Sequence, residues 1–130
     1  MKHYLSYVDD SFKANWNRPA LSNYGANTFT YGAVASEIEK MHLFFEKCGI
    51  RKGDKIALCA RNCAEWCISY FAVVTYDAVC VPLLADFLPQ NIADLTRLSD
   101  SRLLMLDKSI LAGLRRDNIV PQFSAFEGFC

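Results

Sequence analysis

The middle of this chain contains two apolar runs, Ile56-Ala57-Leu58-Cys59-Ala60 and Ala78-Val79-Cys80-Val81. Neither run alternates apolar with polar residues, and an unbroken run of this length is typical of a strand buried on both faces of a parallel sheet. The segment from Trp66 to Val74 is apolar over most of a helical circumference, which predicts a helix covered on more than one side. A strand, a helix and a second strand of this kind form the unit of a parallel α/β sheet.

Upstream, residues 28–30 are predicted to form a short strand that leads directly into a helix. The apolar residues of this helix recur at steps of four and three, which places them on one face. Gly49 ends the helix because glycine tolerates a left-handed backbone. The recurring residues are Val34, Ile38, Met41, Phe45 and Cys48.

Downstream, predicted helices and strands continue to alternate. Pro89 opens a helix with Ile92, Leu95 and Leu98 on one face, since proline suits the first helical turn. Residues 103–106 form a strand, a short helix runs from Ser109 to Arg116 with Ile110, Leu111 and Leu114 aligned, and Ile119-Val120 begin a last strand. We therefore predict an α/β fold with a mostly parallel sheet and helices on both faces.

The chain divides into two predicted parts. Residues 1–27 show no sustained period and are rich in turn formers, so we expect an ordered extension. Residues 28–130 form the α/β subdomain. The turn formers of the extension are Asn15, Asn17, Arg18-Pro19, Ser22-Asn23 and Gly25-Ala26-Asn27.

Several residues have predicted structural roles. Gly53 and Asp54 turn the chain into a buried strand. Asn62 is expected to cap the following helix, with Glu65 reaching back to it. Trp66 is a large packing residue, and Pro82 ends its strand because proline lacks the N–H group that strand pairing requires.

The composition excludes several classes of protein. Lys and Arg number 14 and so do Asp and Glu, which leaves no excess of positive charge for binding nucleic acid. The hydrophobic fraction of 52% is too high for a disordered chain. The first ten residues resemble no signal peptide, and no run of about 18 apolar residues is present to span a bilayer. We expect an intracellular, cytoplasmic protein.

The six cysteines have apolar neighbours and are interpreted as small buried residues in a reducing compartment. Cys63 and Cys67 lie four apart on a predicted helix, where they could supply two metal ligands. No CxxC motif or nearby histidine completes the usual set of four, so we interpret the pair as packing residues. We also interpret His42 as a packing residue, because it lies at the edge of an apolar stripe.

The sequence lacks the common motifs of catalysis. Its glycines never adopt the spacing of GxGxxG, of a Walker loop or of GxSxG. Asp9-Asp10 resembles the acidic pair of a receiver domain, but Asp54 precedes its strand instead of following it, which argues against that hypothesis. We therefore expect no catalytic, cofactor-binding or metal-binding residue in these 130 residues.

Four segments nevertheless resemble one family, the AMP-forming acyl-CoA synthetases of the adenylate-forming superfamily. They are Thr28-Phe29-Thr30-Tyr31, residues 48–58 with Gly53-Asp54, Asn62-Cys63-Ala64-Glu65-Trp66, and Asp77-Ala78-Val79-Cys80-Val81-Pro82-Leu83. The resemblance extends from about Phe12 to Lys108, and the Asn62–Trp66 segment is most similar to the long-chain fatty acyl type.

The resemblance implies a ligase that uses ATP, Mg²⁺ and coenzyme A. In that family a carboxylate attacks the α-phosphate of ATP, and the acyl adenylate is then transferred to a thiol. The motifs that perform this chemistry lie downstream of the matched region, so we expect a truncated, inactive N-terminal subdomain. We expect it to dock on the remainder of its enzyme and, when isolated, to self-associate.

Two alternatives remain open. The chain is either part of such a ligase or a free-standing α/β binding module that shares the fold. Within the superfamily, the parent protein activates a fatty acid, an aryl acid or an amino acid. The sequence leaves open whether the parent associates peripherally with membranes.

Overall fold

A computed structural model of the protein describes residues 3–117, residue 119 and residues 125–126. Within them, the helices are α1 (Tyr4–Ala14), α2 (Tyr31–Lys47), α3 (Ala64–Thr75), α4 (Pro89–Leu98) and α5 (Lys108–Arg116). The strands are β1 (Pro19–Ser22), β2 (Thr28–Thr30), β3 (Lys55–Cys59), β4 (Val79–Leu83), β5 (Leu103–Leu106) and β6 (Ala125–Phe126). No helix in this part of the chain is both long and apolar enough to cross a bilayer.

The main sheet has the strand order β4-β3-β5-β6, and every neighbouring pair is parallel. β3 lies inside the sheet, with Ile56 opposite Cys80 on one side and Leu103 on the other. Residues 56–59 and all of β5 are buried. These observations confirm the mostly parallel sheet. The prediction that residues 78–81 are buried on both faces is wrong, because β4 is an edge of the described sheet and its Val79 is 46% exposed.

Helices cover both faces of this sheet, as predicted, because successive side chains of a strand point to opposite faces. On one face, α2 and α3 pack against the side chains of Ile56, Leu58, Leu103 and Met105, and they contribute Val34, Met41, Phe45, Ile68, Ala72 and Val73. On the other face, α4 and α5 supply Ile92, Leu111 and Leu114, which pack against Ala57, Cys59, Leu104 and Leu106.

The first 27 residues contain more regular structure than the sequence predicts. Tyr4–Ala14 form α1, and β1 pairs antiparallel with β2. β2 therefore belongs to a separate two-stranded sheet and not to the main one. The sequence does not reveal α1 because none of its residues is buried, so no fully apolar face marks it.

α4 presents a different face to the sheet from the one predicted. Pro89 occupies its first turn, as expected. Leu95 and Leu98 are 37% and 80% exposed, whereas Ile92, Ala93 and Thr96 are buried. The Thr96 hydroxyl donates to the Ile92 carbonyl at 2.7 Å, and this bond satisfies a polar group that would otherwise be costly to bury.

Two predicted strand ends also need correction. Pro82 lies within β4, opposite Leu58, and the strand continues to Leu83. β4 is an edge of the described sheet, and edge strands tolerate proline because one row of their N–H groups has no partner strand. Of the strand predicted at 119–120, Ile119 is not in a strand and Val120 lies outside the described residues.

Candidate functional site

The carboxyl ends of β3 and β4 border a cleft, at the edge of the sheet where doubly wound folds bind ligands. Because the two strands are parallel neighbours, the loops that follow them leave the sheet at the same edge and form the two walls. The cleft has a volume of about 460 Å³ and is lined by Ala60, Arg61, Asn62, Trp66, Pro82, Leu83, Leu84, Ala85 and Asp86.

The cleft offers several groups that can bind a ligand. The Trp66 ring stacks on Tyr70 with centroids 5.7 Å apart and planes inclined by 5°. Trp66 also packs against the core, as predicted. Arg61, Asn62 and Asp86 are exposed. The site therefore combines an aromatic face, a guanidinium, an amide and a carboxylate, which suit binding, but it contains no activated nucleophile.

Asp107 directly follows β5, and its side chain is hydrogen-bonded to the loop after β3. Its carboxylate accepts hydrogen bonds from the Arg61 backbone N–H at 3.2 Å, from the Ile110 N–H at 2.9 Å and from the Ser109 hydroxyl at 2.7 Å. Burial alone raises the pKa of this carboxyl, but these bonds and the Arg61 charge outweigh burial and lower the pKa below its usual value. Asp107 is therefore a structural anion that caps α5.

The start of α3 is capped from outside the helix. The Ala64 N–H donates to Asn23 Oδ1 at 2.8 Å, and Asn23 Nδ2 donates to both carboxylate oxygens of Glu65 at 3.1 and 2.9 Å. The prediction that Asn62 caps this helix is wrong, because Cys63 is the N-cap residue and its side chain makes no capping bond. Asn23 lies in the loop between β1 and β2, and no local sequence signal connects it with α3.

The thiols of Cys59 and Cys80 are not nucleophiles at neutral pH. Burial, with a contribution from Asp107, raises the pKa of Cys59 to about 12. Burial raises the pKa of Cys80 to about 11. Both thiols are therefore protonated at neutral pH. Cys59 is fully buried as predicted, whereas Cys48, Cys63, Cys67 and Cys80 are only half-buried and Cys130 lies outside the described residues.

His42 joins two helices. Its Nε2 atom lies 3.0 Å from the Ala72 carbonyl oxygen and 2.9 Å from the Thr75 hydroxyl oxygen. Its ring also contacts Tyr76, with centroids 5.4 Å apart. These contacts hold α2 against α3, in agreement with the predicted packing role.

The acidic residues weighed for a receiver domain are not brought together. Asp9 lies on α1, where a receiver domain would have a strand, and it forms an ion pair with Lys13 at 2.7 Å. Asp54 lies in the turn before β3, at the opposite end of that strand from the cleft, and accepts a hydrogen bond from the Arg51 N–H at 2.7 Å. The receiver hypothesis is therefore wrong.

The described residues do not fit the cofactors that the resemblance implies. The whole sequence lacks a glycine-rich loop ending in lysine, which would be needed to enclose phosphates. Within the described part of the chain, no three His, Cys, Asp or Glu side chains are grouped as ligands for a metal ion. We assign no residue to ATP, Mg²⁺ or coenzyme A and derive no reaction step from this region.

Comparisons with known proteins give a consistent result. Crotonobetaine/carnitine–CoA ligase of Salmonella paratyphi B is 31% identical over 96 residues, which cover 72% of this chain and 19% of the relative. The enzyme of the same name from Proteus mirabilis is 37% identical over 65 residues, or 50% of this chain and 12% of the relative. The chain thus spans about 19% of the length of the Salmonella relative.

Solved structures share the fold. A benzoate CoA ligase from Burkholderia xenovorans LB400 superposes with a TM-score of 0.86 at 10% identity, over 99% of this chain and 26% of that chain. An anthranilate CoA ligase in complex with anthranoyl-AMP gives a TM-score of 0.81 at 20% identity, over 95% of this chain and 24% of that chain. At such identities the likeness concerns the fold alone.

A family model described as AMP-binding enzyme matches residues 8–124. This match confirms the resemblance at the level of the family, while the long-chain type stays a prediction. Since the match extends over most of the sequence, the chain belongs to the AMP-binding enzyme family.

Proposed function

We propose that this chain is the N-terminal part of an ATP-dependent ligase that activates a carboxylic acid as an acyl adenylate and transfers the acyl group to coenzyme A. The family match over residues 8–124 carries this proposal. The names of the curated relatives describe them as CoA ligases, which supports the choice of coenzyme A as acceptor.

Within that enzyme, the proposed role of these residues is structural. The parallel sheet, closed on both faces by helices, is a rigid support, and its carboxyl edge holds the cleft around Trp66. Asp107 and Asn23 immobilise the loop and the helix start that form this edge. We propose that the chain alone does not catalyse the reaction, because its sequence lacks a phosphate-binding loop.

For the acyl group we propose a fatty acid, on the basis of the Asn62–Trp66 segment. A second candidate is a small polar or an aryl carboxylic acid. It is favoured by relatives named for crotonobetaine and carnitine and by fold neighbours named for benzoate and anthranilate. The free-standing binding module is the alternative from a different functional class.

The test is an ATP–pyrophosphate exchange assay with the product of the full reading frame that encodes this chain. The panel contains fatty acids of increasing chain length, benzoate, anthranilate and crotonobetaine. Exchange that depends on one of these acids, followed by coenzyme A thioester formation, supports the ligase. Comparison of the exchange rates with the different acids then shows whether the substrate is a fatty acid or a small or aryl acid.

The matched control is a polypeptide of residues 1–130, assayed at the same concentration. We expect no exchange above background from it with any acid. Exchange by this control contradicts the proposed structural role. A full product that binds none of the acids and exchanges no pyrophosphate contradicts the ligase and favours the binding module.

A further inference from the structure

A cavity lies between α1, α2 and α3, and it shares no lining residue with the cleft. Its volume is about 250 Å³. An apolar cavity of about 150 Å³ can hold a benzene molecule, so this one has room for two fused rings. Its walls are mostly apolar and include Leu5, Val8 and Phe12 from α1, Ile38 from α2 and Phe71 from α3.

Trp16 forms a fixed part of the cavity wall. Its backbone carbonyl accepts a hydrogen bond from the Gly32 N–H at 2.8 Å. Its ring lies so close to Gly32 that a Cβ atom at this glycine would be 2.6 Å from Trp16 Nε1. Only glycine allows this approach, so the ring is held in place before any ligand binds. A wall that is already ordered lowers the entropic cost of binding.

α1 is packed less completely than the other helices. None of its residues is buried, whereas each of the other four helices buries at least two. Leu5, Val8 and Phe12 face the cavity and are only half-buried. An apolar molecule in the cavity would remove more of these side chains from water, which favours its binding.

The uncharged polar groups of the cavity offer a hydrogen-bond acceptor. His42 Nε2 lies 3.0 Å from the Ala72 carbonyl oxygen, which can only accept, so Nε2 carries the proton and Nδ1 of the neutral ring is an acceptor. Among the described residues, Nδ1 has no hydrogen bond and no buried side-chain nitrogen or oxygen lacks a partner, so Nδ1 is open to solvent. The Thr75 hydroxyl already donates to the Phe71 carbonyl.

The charges at the cavity are paired. Asp9 and Lys13 form an ion pair at 2.7 Å, and Lys13 is the one Lys or Arg among the described lining residues. A carboxylate or phosphate would therefore find no unpaired cation here, and a neutral ligand is favoured. This property separates the cavity from any site for the acids and nucleotides of the proposed ligase reaction.

We propose that this cavity binds a neutral molecule of two fused aromatic rings that carries one N–H or O–H donor, with indole as the simplest probe. The rings fill the apolar space beside Phe12, Trp16 and Phe71, and the donor bonds to His42 Nδ1. Binding completes the packing of α1 and so reduces the local opening of this helix.

The experiment titrates the isotope-labelled full chain with indole at pH 8, where histidine is ordinarily neutral, and follows the NMR signals of the two tryptophan indole N–H groups. The Trp16 signal should shift and saturate, because Trp16 lines the cavity. The signal of Trp66, which lines the cleft, should stay in place. Hydrogen exchange should slow in α1. No shift of the Trp16 signal up to the solubility limit of indole would overturn the proposal.

Indene tests the hydrogen bond without any substitution in the protein. It has the shape of indole but lacks the N–H donor, so it should bind about three- to tenfold more weakly, the usual effect of one hydrogen bond. Indene that binds as tightly as indole would refute the assignment of a donor ligand to this site.

Ala35→Phe tests the location, since Ala35 lines the cavity and the added ring would occupy it. The affinity for indole should fall about tenfold or more, because the ligand loses most of the apolar contact area of one ring. Ala33→Phe is the matched control, the same change at an exposed residue of the same helix, and it should bind like wild type. Thermal unfolding without indole checks that both variants fold. Equal losses in the two folded variants would contradict the location, and the comparison with indene decides the proposal even if Ala35→Phe fails to fold.

Discussion

Asp107 is a buried carboxyl whose pKa is decided by competition between desolvation and hydrogen bonding. At 5% exposure it should favour its neutral form, yet two backbone N–H groups and a hydroxyl all donate to its oxygens. Each of these bonds exists in full strength only when the oxygens are ionised. The residue therefore links the protonation state of one side chain to the geometry of the cleft edge.

Substituting Asp107→Ala should lower the free energy of unfolding at pH 7 by about 2 kcal/mol, because it removes a helix cap and leaves the Arg61 N–H without this acceptor. The pKa of Asp107 is lower in the folded than in the unfolded protein. The ionised carboxylate therefore contributes fully to stability above about pH 4, which is the pKa of Asp in the unfolded protein. This contribution is lost as the pH falls through the lower pKa of the folded protein.

Urea unfolding of wild type and variant from pH 7 to pH 3 checks this expectation. The difference in the free energy of unfolding between wild type and variant should become smaller as the pH falls toward 3. Asp100→Asn is a control, because its carboxylate makes no hydrogen bond or ion pair among the described residues. A difference that stays constant with pH would show that Asp107 contributes through packing and not through its charge.

At the scale of elements, the β1–β2 hairpin and α3 depend on each other. The hairpin does not belong to the main sheet, and Asn23 connects its loop to the first turn of α3 through three hydrogen bonds. The connection resembles a capping box whose capping residue comes from a distant segment of the chain. It explains how α3 starts without help from Asn62 or the Cys63 side chain.

Substituting Asn23→Ala should lower the free energy of unfolding by about 1 kcal/mol, the usual effect of losing a helix cap. Hydrogen exchange should accelerate at the Ala64 amide, which loses its acceptor. Asn27→Ala is the matched control, since Asn27 lies in the same loop and its exposed side chain makes no hydrogen bond within the described residues. Equal effects of the two substitutions would contradict the assigned role of Asn23.

At the scale of the whole molecule, several large apolar side chains are exposed in the segment that runs from the end of β4 to the end of α4. Four leucines between β4 and the end of α4 are exposed, and they are Leu84, Leu88, Leu95 and Leu98. The protein has a net charge of zero, so long-range repulsion does not oppose association through these side chains. Apolar patches larger than a few hundred Å² are uncommon on monomers and mark interaction sites.

We expect residues 1–130 expressed alone to self-associate, with a light-scattering mass that rises with protein concentration. Leu95→Gln combined with Leu98→Gln should reduce this rise, because amides replace the apolar side chains without adding charge. Leu43→Gln, an equally conservative change at an exposed leucine of α2, should have little effect. A constant monomer mass for the unsubstituted chain would refute the expectation.

Much of this architecture could be read from local patterns. The apolar runs of β3 and β4 predict two parallel strands, although only β3 is buried along its length, and the steps of three and four in α2 define one apolar face. The parallel sheet and its helical layers therefore follow from the sequence. The family resemblance also rests on short segments, among them residues 48–58, which include most of β3. These features are local because strand burial and helical periodicity arise within a few consecutive residues.

Other features of the structure depend on contacts between residues that are far apart in the sequence. α1 buries no residue, the capping partner of α3 is 41 positions away, and the buried face of α4 is selected by the shape of the core and not by leucine content. Asp107 meets the Arg61 N–H across 46 positions. Contacts of this kind depend on the packing of the complete fold, since no short window of sequence contains both partners.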